Sequence, residues 1–178
     1  MMEKAILIGG TGGQGILAAG EFLSEALFRS GYEVVNSRSY GSEARGGSCR
    51  SEVLVSDSEI YDLTVIEADI LILLSAPAFK RYQGTAKNGA LLIVDDAVLD
   101  ELDEGEIRPD VSLVSIPASE TAKELGNVIV ANMVLLGALA KRSDLISLDR
   151  LEEAVKEMMR PSMQAINLRA LGAGFEKA

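Results

Sequence analysis

Five glycines fall within seven residues in Gly9-Gly10-Thr11-Gly12-Gly13-Gln14-Gly15, directly after the apolar run Ala5-Ile6-Leu7-Ile8. Glycine reaches positive φ and carries no Cβ, so such a stretch can turn tightly and let a ligand or another chain come close. A helix starting near Gly15 would aim its free N–H groups and the positive end of its dipole at the same place. That arrangement suits phosphate.

Gly10-x-Gly12-x-x-Gly15 has the spacing of the dinucleotide fingerprint, in the strand-loop-helix context that the fingerprint needs. Its acidic partner is missing. A ribose-binding carboxylate belongs about 20 residues further on, whereas Glu33-Val34-Val35-Asn36-Ser37-Arg38 ends in Asn, Ser and Arg. Arg38 offers at most a contact to a phosphorylated ribose, and no Lys-Ser or Lys-Thr closes the loop as in a Walker motif. Ordinary NAD or FAD binding is disfavoured. Two readings of the glycines remain open: a close-approach surface for a phosphate-bearing ligand, and tight packing of strand against helix.

A second candidate loop runs from Ser37 to Gly47. In Tyr40-Gly41-Ser42-Glu43-Ala44-Arg45-Gly46-Gly47, Arg45 supplies a planar fork suited to phosphate or carboxylate, and Gly46-Gly47 lets backbone approach. The alternative use of Arg45 is an internal ion pair with Glu43 or another acid. Asp95-Asp96 ends an apolar run, where paired carboxylates can hold Mg²⁺ or move protons. Adjacent side chains on a strand point to opposite sides, so a solvated strand end is expected instead. Ser39, Ser42 and Ser48 have no evident base beside them. Cys49 reads as a small buried hydrophobe, with Arg50 as the one neighbour that would lower its pKa. Asn132, inside an apolar helical segment, must find partners and is expected to cap the loop system or bond a neighbouring subunit.

The chain has 178 residues and no histidine, one cysteine and a net charge of −10. One cysteine cannot hold an iron–sulfur cluster or an intramolecular disulfide alone, and the lack of histidine removes the commonest general base and zinc ligand. The acidity argues against general binding of nucleic acid or an anionic membrane. No apolar run of about 20 residues is free of charge, and Met1 to Lys4 leave no room for a signal peptide before the first strand. A soluble cytoplasmic protein is expected.

These candidate residues need a frame to hold them. The hydrophobic content of 48% is built on only four Phe, four Tyr and no Trp, an aliphatic supply of the kind a parallel sheet between helices consumes. One α/β domain over residues 1–178 is expected, a three-layer α/β/α sandwich with a mostly parallel sheet and an antiparallel hairpin. Helix one is expected from about Gly15 to Ser30, burying Leu17, Ala18, Phe22, Ala26 and Leu27, followed by a strand from Tyr32. Ser48 to Val55 alternates as a strand, with Ser56-Asp57-Ser58 turning into a short hairpin partner, Glu59-Ile60-Tyr61. Ile70-Leu71-Ile72-Leu73-Leu74 and Ala90-Leu91-Leu92-Ile93-Val94 read as buried strands, with a helix from Ala78 to about Ala86 between them and Asn88-Gly89 as its stop. Asp100 to Asp110 reads as a solvated connection. Val111 to Ile116 is the last strand, and helices are expected over Ser119 to Leu125, Val128 to Lys141, Leu148 to Met159 and Met163 to Leu171.

Three motifs in this order, Gly10-x-Gly12-Gly13-Gln14-Gly15, Ser39-Tyr40-Gly41-x-Glu43-x-Arg45-Gly46-Gly47 and Val53-x-Val55-Ser56-Asp57-x-x-Ile60, together resemble the gamma subunit of the 2-oxoacid:ferredoxin oxidoreductases. The resemblance continues through Gly126-Asn127-x-x-x-Ala131-Asn132-Met133 and the C-terminal helices, and its form is most similar to 2-oxoglutarate oxidoreductases. It implies a non-cofactor-bearing subunit, inactive alone, in a complex that decarboxylates a 2-oxoacid to an acyl-coenzyme A and reduces ferredoxin. It also implies thiamine diphosphate, Mg and iron–sulfur clusters in partner subunits, and coenzyme A as co-substrate. The implied ligand or interface residues are Gly12, Gly13, Gln14, Gly15, Tyr40, Glu43, Arg45, Gly46 and Gly47. Within the family, indolepyruvate, pyruvate and branched-chain 2-oxoacids are the alternative substrates. A free-standing nucleotide-binding or structural module is the alternative outside it.

Overall fold

The computed structural model describes residues 2–40 and 47–178. Its centre is a six-stranded sheet in the order β2-β3-β1-β4-β5-β6. The strands are β1 (Glu3–Thr11), β2 (Glu33–Tyr40), β3 (Ser48–Ser56), β4 (Ala68–Leu73), β5 (Ala86–Asp95) and β6 (Ser112–Ile116). β1, β4, β5 and β6 pair in parallel, while β3 runs antiparallel to both β1 and β2.

Alternation along the strands divides the core into two. Ile6, Ile8, Val53, Val55, Ile70, Ile72 and Ile93 face α1 (Ile16–Arg29), α4 (Ala118–Glu124), α5 (Ala131–Arg142), α6 (Leu148–Met158) and α7 (Pro161–Lys177). Leu7, Leu54, Leu71, Leu73, Leu92 and Val94 face α2 (Ala76–Tyr82) and α3 (Asp96–Leu99). Strands buried on both faces read as unbroken apolar runs, which is why β4 and β5 are so evident in the sequence. The three-layer α/β/α sandwich is as expected.

Several local expectations are corrected. The antiparallel hairpin is β2 with β3, and Glu59-Ile60-Tyr61 forms no strand. β5 begins at Ala86, where its pairing with β4 is irregular between Ala68 and Ile70, so Asn88-Gly89 lies inside the strand instead of ending a helix. The buried face of α1 is Ile16, Ala19, Gly20, Phe22, Leu23, Ala26 and Leu27, with Leu17 and Ala18 only half-buried. α7 runs through Gly172 and Gly174 to Lys177. A Cβ on Gly174 would stand 1.8 Å from the Val134 carbonyl oxygen, and one on Gly137 would stand 2.0 Å from that of Leu171. Glycine there serves the close crossing of α5 and α7, not a helix stop.

Asp95 is buried, not solvated. Its carboxylate accepts from the Ser119 N–H at 3.2 Å and from the Ser119 hydroxyl, so it holds the first turn of α4. Asp96 points the other way and accepts from Ser115 Oγ.

Candidate functional site at the carboxyl edge of the sheet

β1 ends in a turn closed by Gln14 N–H to Thr11 O at 3.2 Å, with Gly13 at φ 93°. A β-turn of this kind needs positive φ at its third residue. The Gln14 side chain then ties the turn down. Its Oε1 accepts from Thr11 N–H at 2.7 Å, and its Nε2 donates to the Leu74 carbonyl at 3.0 Å. Leu74 follows β4 and donates its own N–H to Gly9 O at 2.9 Å. The chain leaves β1 toward α1 on one face and leaves β4 toward α2 on the other, so these bonds span the crevice where the connections diverge. Ligands of open α/β sheets bind in such crevices.

Gly15, at φ 68°, begins α1 with no side chain capping the helix. Its carbonyl accepts from Asn132 Nδ2 at 2.8 Å, and a Cβ on Gly15 would lie 2.5 Å from that nitrogen. Asn132 Oδ1 accepts from Met133 N–H at 2.7 Å. The buried Asn132 is thereby satisfied within the chain and joins the start of α5 to the start of α1. Of the two partners expected for it, the loop system is the one it takes.

The glycines sort by role. A Cβ on Gly9 would meet Tyr82, and one on Gly10 would meet both Ile16 and the Gln14 amide, so these two serve packing. Gly12 and Gly13 are exposed at the tip. Gly12 N–H donates to Gly47 O at 3.1 Å, which joins the first glycine loop to the second. Gly10, Cys49 and Tyr40 stand opposite one another across β1, β3 and β2, so Tyr40, 72% exposed, ends β2 at the same edge of the sheet, two strands away from the first loop. Glu43, Arg45 and Gly46 lie outside the described residues.

The dinucleotide reading fails on topology. β3 separates β2 from β1, which puts the end of β2 about 10 Å, two strand spacings, from the glycine loop. The residues at that end are also engaged: Asn36 accepts from Ser51 Oγ at 2.9 Å, Ser37 donates to the Leu63 carbonyl, and Arg38 pairs with Glu21 of α1. Cys49 is buried, with its thiol toward Gly47 O at 3.8 Å.

A cavity of about 170 Å³ opens beside the loop, lined by Gly13, Gln14, Leu74, Ser119, Val128, Ile129 and Ala131. Val128 and Ile129 are 62% and 51% exposed. Instead of opening the apolar helix expected from Val128, both lie in a 3-10 turn over Val128–Val130 ahead of α5. Their position just after Gly126-Asn127, where Asn127 caps the turn through Ile129 N–H at 3.0 Å, was the available signal.

The pyruvate ferredoxin/flavodoxin oxidoreductase family profile matches residues 5–177. The chain belongs to that family. It is 42% identical to the 2-oxoglutarate synthase subunit KorC of Methanothermobacter thermautotrophicus, over 98% of this chain and 95% of that one. It is 37% identical to the subunit of the same name in Methanocaldococcus jannaschii, over 99% and 95%. Among solved structures it superposes on the gamma subunit of a keto/oxoacid ferredoxin oxidoreductase from Geobacter sulfurreducens with a TM-score of 0.86 and 32% identity, over 99% of this chain and 97% of that one. It also matches a 2-oxoglutarate:ferredoxin oxidoreductase from Magnetococcus marinus with 2-oxoglutarate, coenzyme A and succinyl-CoA bound, with a TM-score of 0.89 and 28% identity. All of this chain is covered there, but only 31% of the larger one.

This chain is therefore a gamma-type subunit of a 2-oxoacid:ferredoxin oxidoreductase. No group of three or more His, Cys, Asp or Glu side chains among the described residues could hold a metal ion, and no described helix is long and apolar enough to cross a membrane.

Proposed function

We propose that this gamma-type subunit works in a cytoplasmic complex that converts 2-oxoglutarate and coenzyme A to succinyl-coenzyme A and carbon dioxide and passes the two electrons released to ferredoxin. The choice of 2-oxoacid rests on identity: 34–42% to four 2-oxoglutarate synthase subunits, against 29–30% to indolepyruvate and ketoisovalerate relatives. Thiamine diphosphate, Mg and the iron–sulfur clusters belong to companion subunits in this reading, which is supported by the single cysteine of the chain and by the lack, among the described residues, of any group of three or more His, Cys, Asp or Glu placed to hold a metal ion. Its own contribution is binding and positioning.

For that contribution we assign coenzyme A to the edge formed by Gly12, Gly13, Gln14, Gly15, Tyr40 and Gly47, and on the motif alone we add Glu43, Arg45 and Gly46, which lie outside the described residues. The observation that carries this reading is the bond from Gly12 N–H to Gly47 O, which unites the two glycine loops in front of the uncapped start of α1. The free N–H groups of an uncapped helix N-terminus attract a phosphate without needing a basic surface, which agrees with a chain of net charge −10. The open Val128-Ile129 wall provides an apolar surface for the uncharged part of such a ligand.

The test is the purified native complex assayed with 2-oxoglutarate, pyruvate, indolepyruvate and a branched-chain 2-oxoacid. Preference for 2-oxoglutarate is expected, and preference for another acid would overturn the substrate assignment. In the same complex, Arg45→Ala should raise the KM for coenzyme A about tenfold or more, as for a lost charge-assisted bond, with little change in the KM for the 2-oxoacid. An unchanged coenzyme A profile in an intact complex would remove Arg45 from the site.

A further inference from the structure

Residues 57–67, which join β3 to β4, turn three large apolar side chains outward. Tyr61, Leu63 and Ile66 are 87%, 68% and 81% exposed. Single exposed apolar residues are ordinary, but three within six positions form a patch. The segment is anchored: Ile60 and Val65 turn inward against the α2-side core, and Ser37 Oγ bonds the Leu63 carbonyl. The outward residues are thus presented from a fixed backbone.

The surroundings are acidic. Residues 57–67 contain Asp57, Glu59, Asp62 and Glu67 and no Lys or Arg. Next to the patch is a cavity of about 260 Å³, whose lining includes Glu3, Asp62, Ile66, Glu67, Asp69 and Lys87. Lys87 is already committed to Asp69 at 2.8 Å. The Asp69 carboxyl is pushed up by burial, but the bond from Lys87, with help from Ala5 N–H and Lys4, holds it below the ordinary carboxylate value. Glu3 and Asp62 form no ion pair among the described residues, and Glu67 is reached only at longer range by Arg108. An apolar patch beside unneutralised carboxylates is complementary to a surface that is apolar and basic.

We infer that this surface docks a companion subunit of the oxidoreductase, which covers Tyr61, Leu63 and Ile66 with apolar side chains and sends a Lys or Arg into the acidic cavity. The inference rests on the reading of this chain as one subunit of a complex. A second copy is the poorer occupant, because a two-fold contact would bring the same carboxylates against each other. In the Magnetococcus marinus relative the region matched by this chain is 31% of a longer chain.

The test uses the co-expressed complex and the isolated chain. The double variant Leu63→Asp/Ile66→Asp should weaken binding to the companion subunits about 30-fold or more, the loss typical of a truncated interface anchor. Asp62→Lys should weaken it about tenfold and reduce its salt sensitivity. Phe28→Asp alters a side chain that is 65% exposed on the opposite helix layer and should leave binding within about twofold. Because Asp62 is exposed, its variant keeps the test decisive if the double variant folds poorly. Wild-type affinity in a folded double variant would overturn the inference while leaving the subunit reading intact. So would an isolated chain that is a dimer and becomes a monomer in the double variant. A wild-type chain that binds no companion at all would instead overturn the subunit reading on which this one stands.

Discussion

Removing the Gln14 side chain would strand two backbone groups at once, the N–H of Thr11 and the carbonyl of Leu74. Part-buried groups left without partners cost about 1–3 kcal/mol, so Gln14→Ala should lower the unfolding free energy of the isolated chain by roughly that amount. Gln14→Glu separates structure from ligand binding. Its carboxylate still accepts from Thr11 N–H, but it turns an oxygen toward the Leu74 carbonyl and sets a negative charge in the anion-facing loop. In the native complex it should raise the KM for coenzyme A about tenfold or more, the equivalent of about 1.4 kcal/mol, while the KM for the 2-oxoacid stays near wild type. Equal KM values for coenzyme A in wild type and Gln14→Glu would exclude the first glycine loop from the binding edge. The sequence marks Gln14 as a ligand candidate by its place among glycines. Its engagement with Leu74, sixty positions away, depends on β4 lying beside β1, which no local pattern encodes.

At the scale of elements, the crossing of α5 and α7 gives a sharp contrast between glycines in one helix. At Gly174 a Cβ would stand 1.8 Å from a backbone oxygen, whereas nothing lies within 4 Å of a Cβ built on Gly172. Gly174→Ala should force the helices apart and cost about 1–3 kcal/mol. Gly172→Ala should stabilise by up to about 1 kcal/mol, because alanine is the better helix former. Urea unfolding of both variants reads the opposite signs, and two losses of similar size would show that Gly172 is packed as tightly as Gly174. The same pair explains what could be read in advance. β4 and β5 were evident as unbroken aliphatic runs, and α5 as an apolar helix, because burial on all sides leaves a composition signal. The end of α7 was misplaced because a glycine that stops a helix and one that admits another helix look alike in sequence. The hairpin partner of β3 was misplaced for a related reason: Glu59-Ile60-Tyr61 has strand-like composition, but β2 and β1 already occupy both edges of β3.

For the whole molecule, the distribution of side chains sets what the subunit can do without its companions. A buried Asp95 is spent on the first turn of α4, the buried Asn132 on the loop at Gly15, and the Gln14 amide on two strands. The described polar side chains near the proposed binding edge are therefore mainly structural, and what the described residues offer to a ligand there is a helix terminus and an apolar wall. In the proposed reading such a surface holds and orients coenzyme A, no described side chain at that edge is placed as a base for the thiol, and the single cysteine of the chain cannot by itself ligate an iron–sulfur cluster. The purified subunit alone should accordingly show no visible iron–sulfur or flavin absorbance and no 2-oxoacid-dependent reduction of a viologen dye. Adding the companion subunits should restore turnover in proportion to the gamma-type chain supplied, until the complex is saturated. Turnover by the isolated chain would contradict the division of labour, whereas companion subunits that reach full coenzyme A-dependent turnover without it would deny the edge of the sheet any part in the reaction.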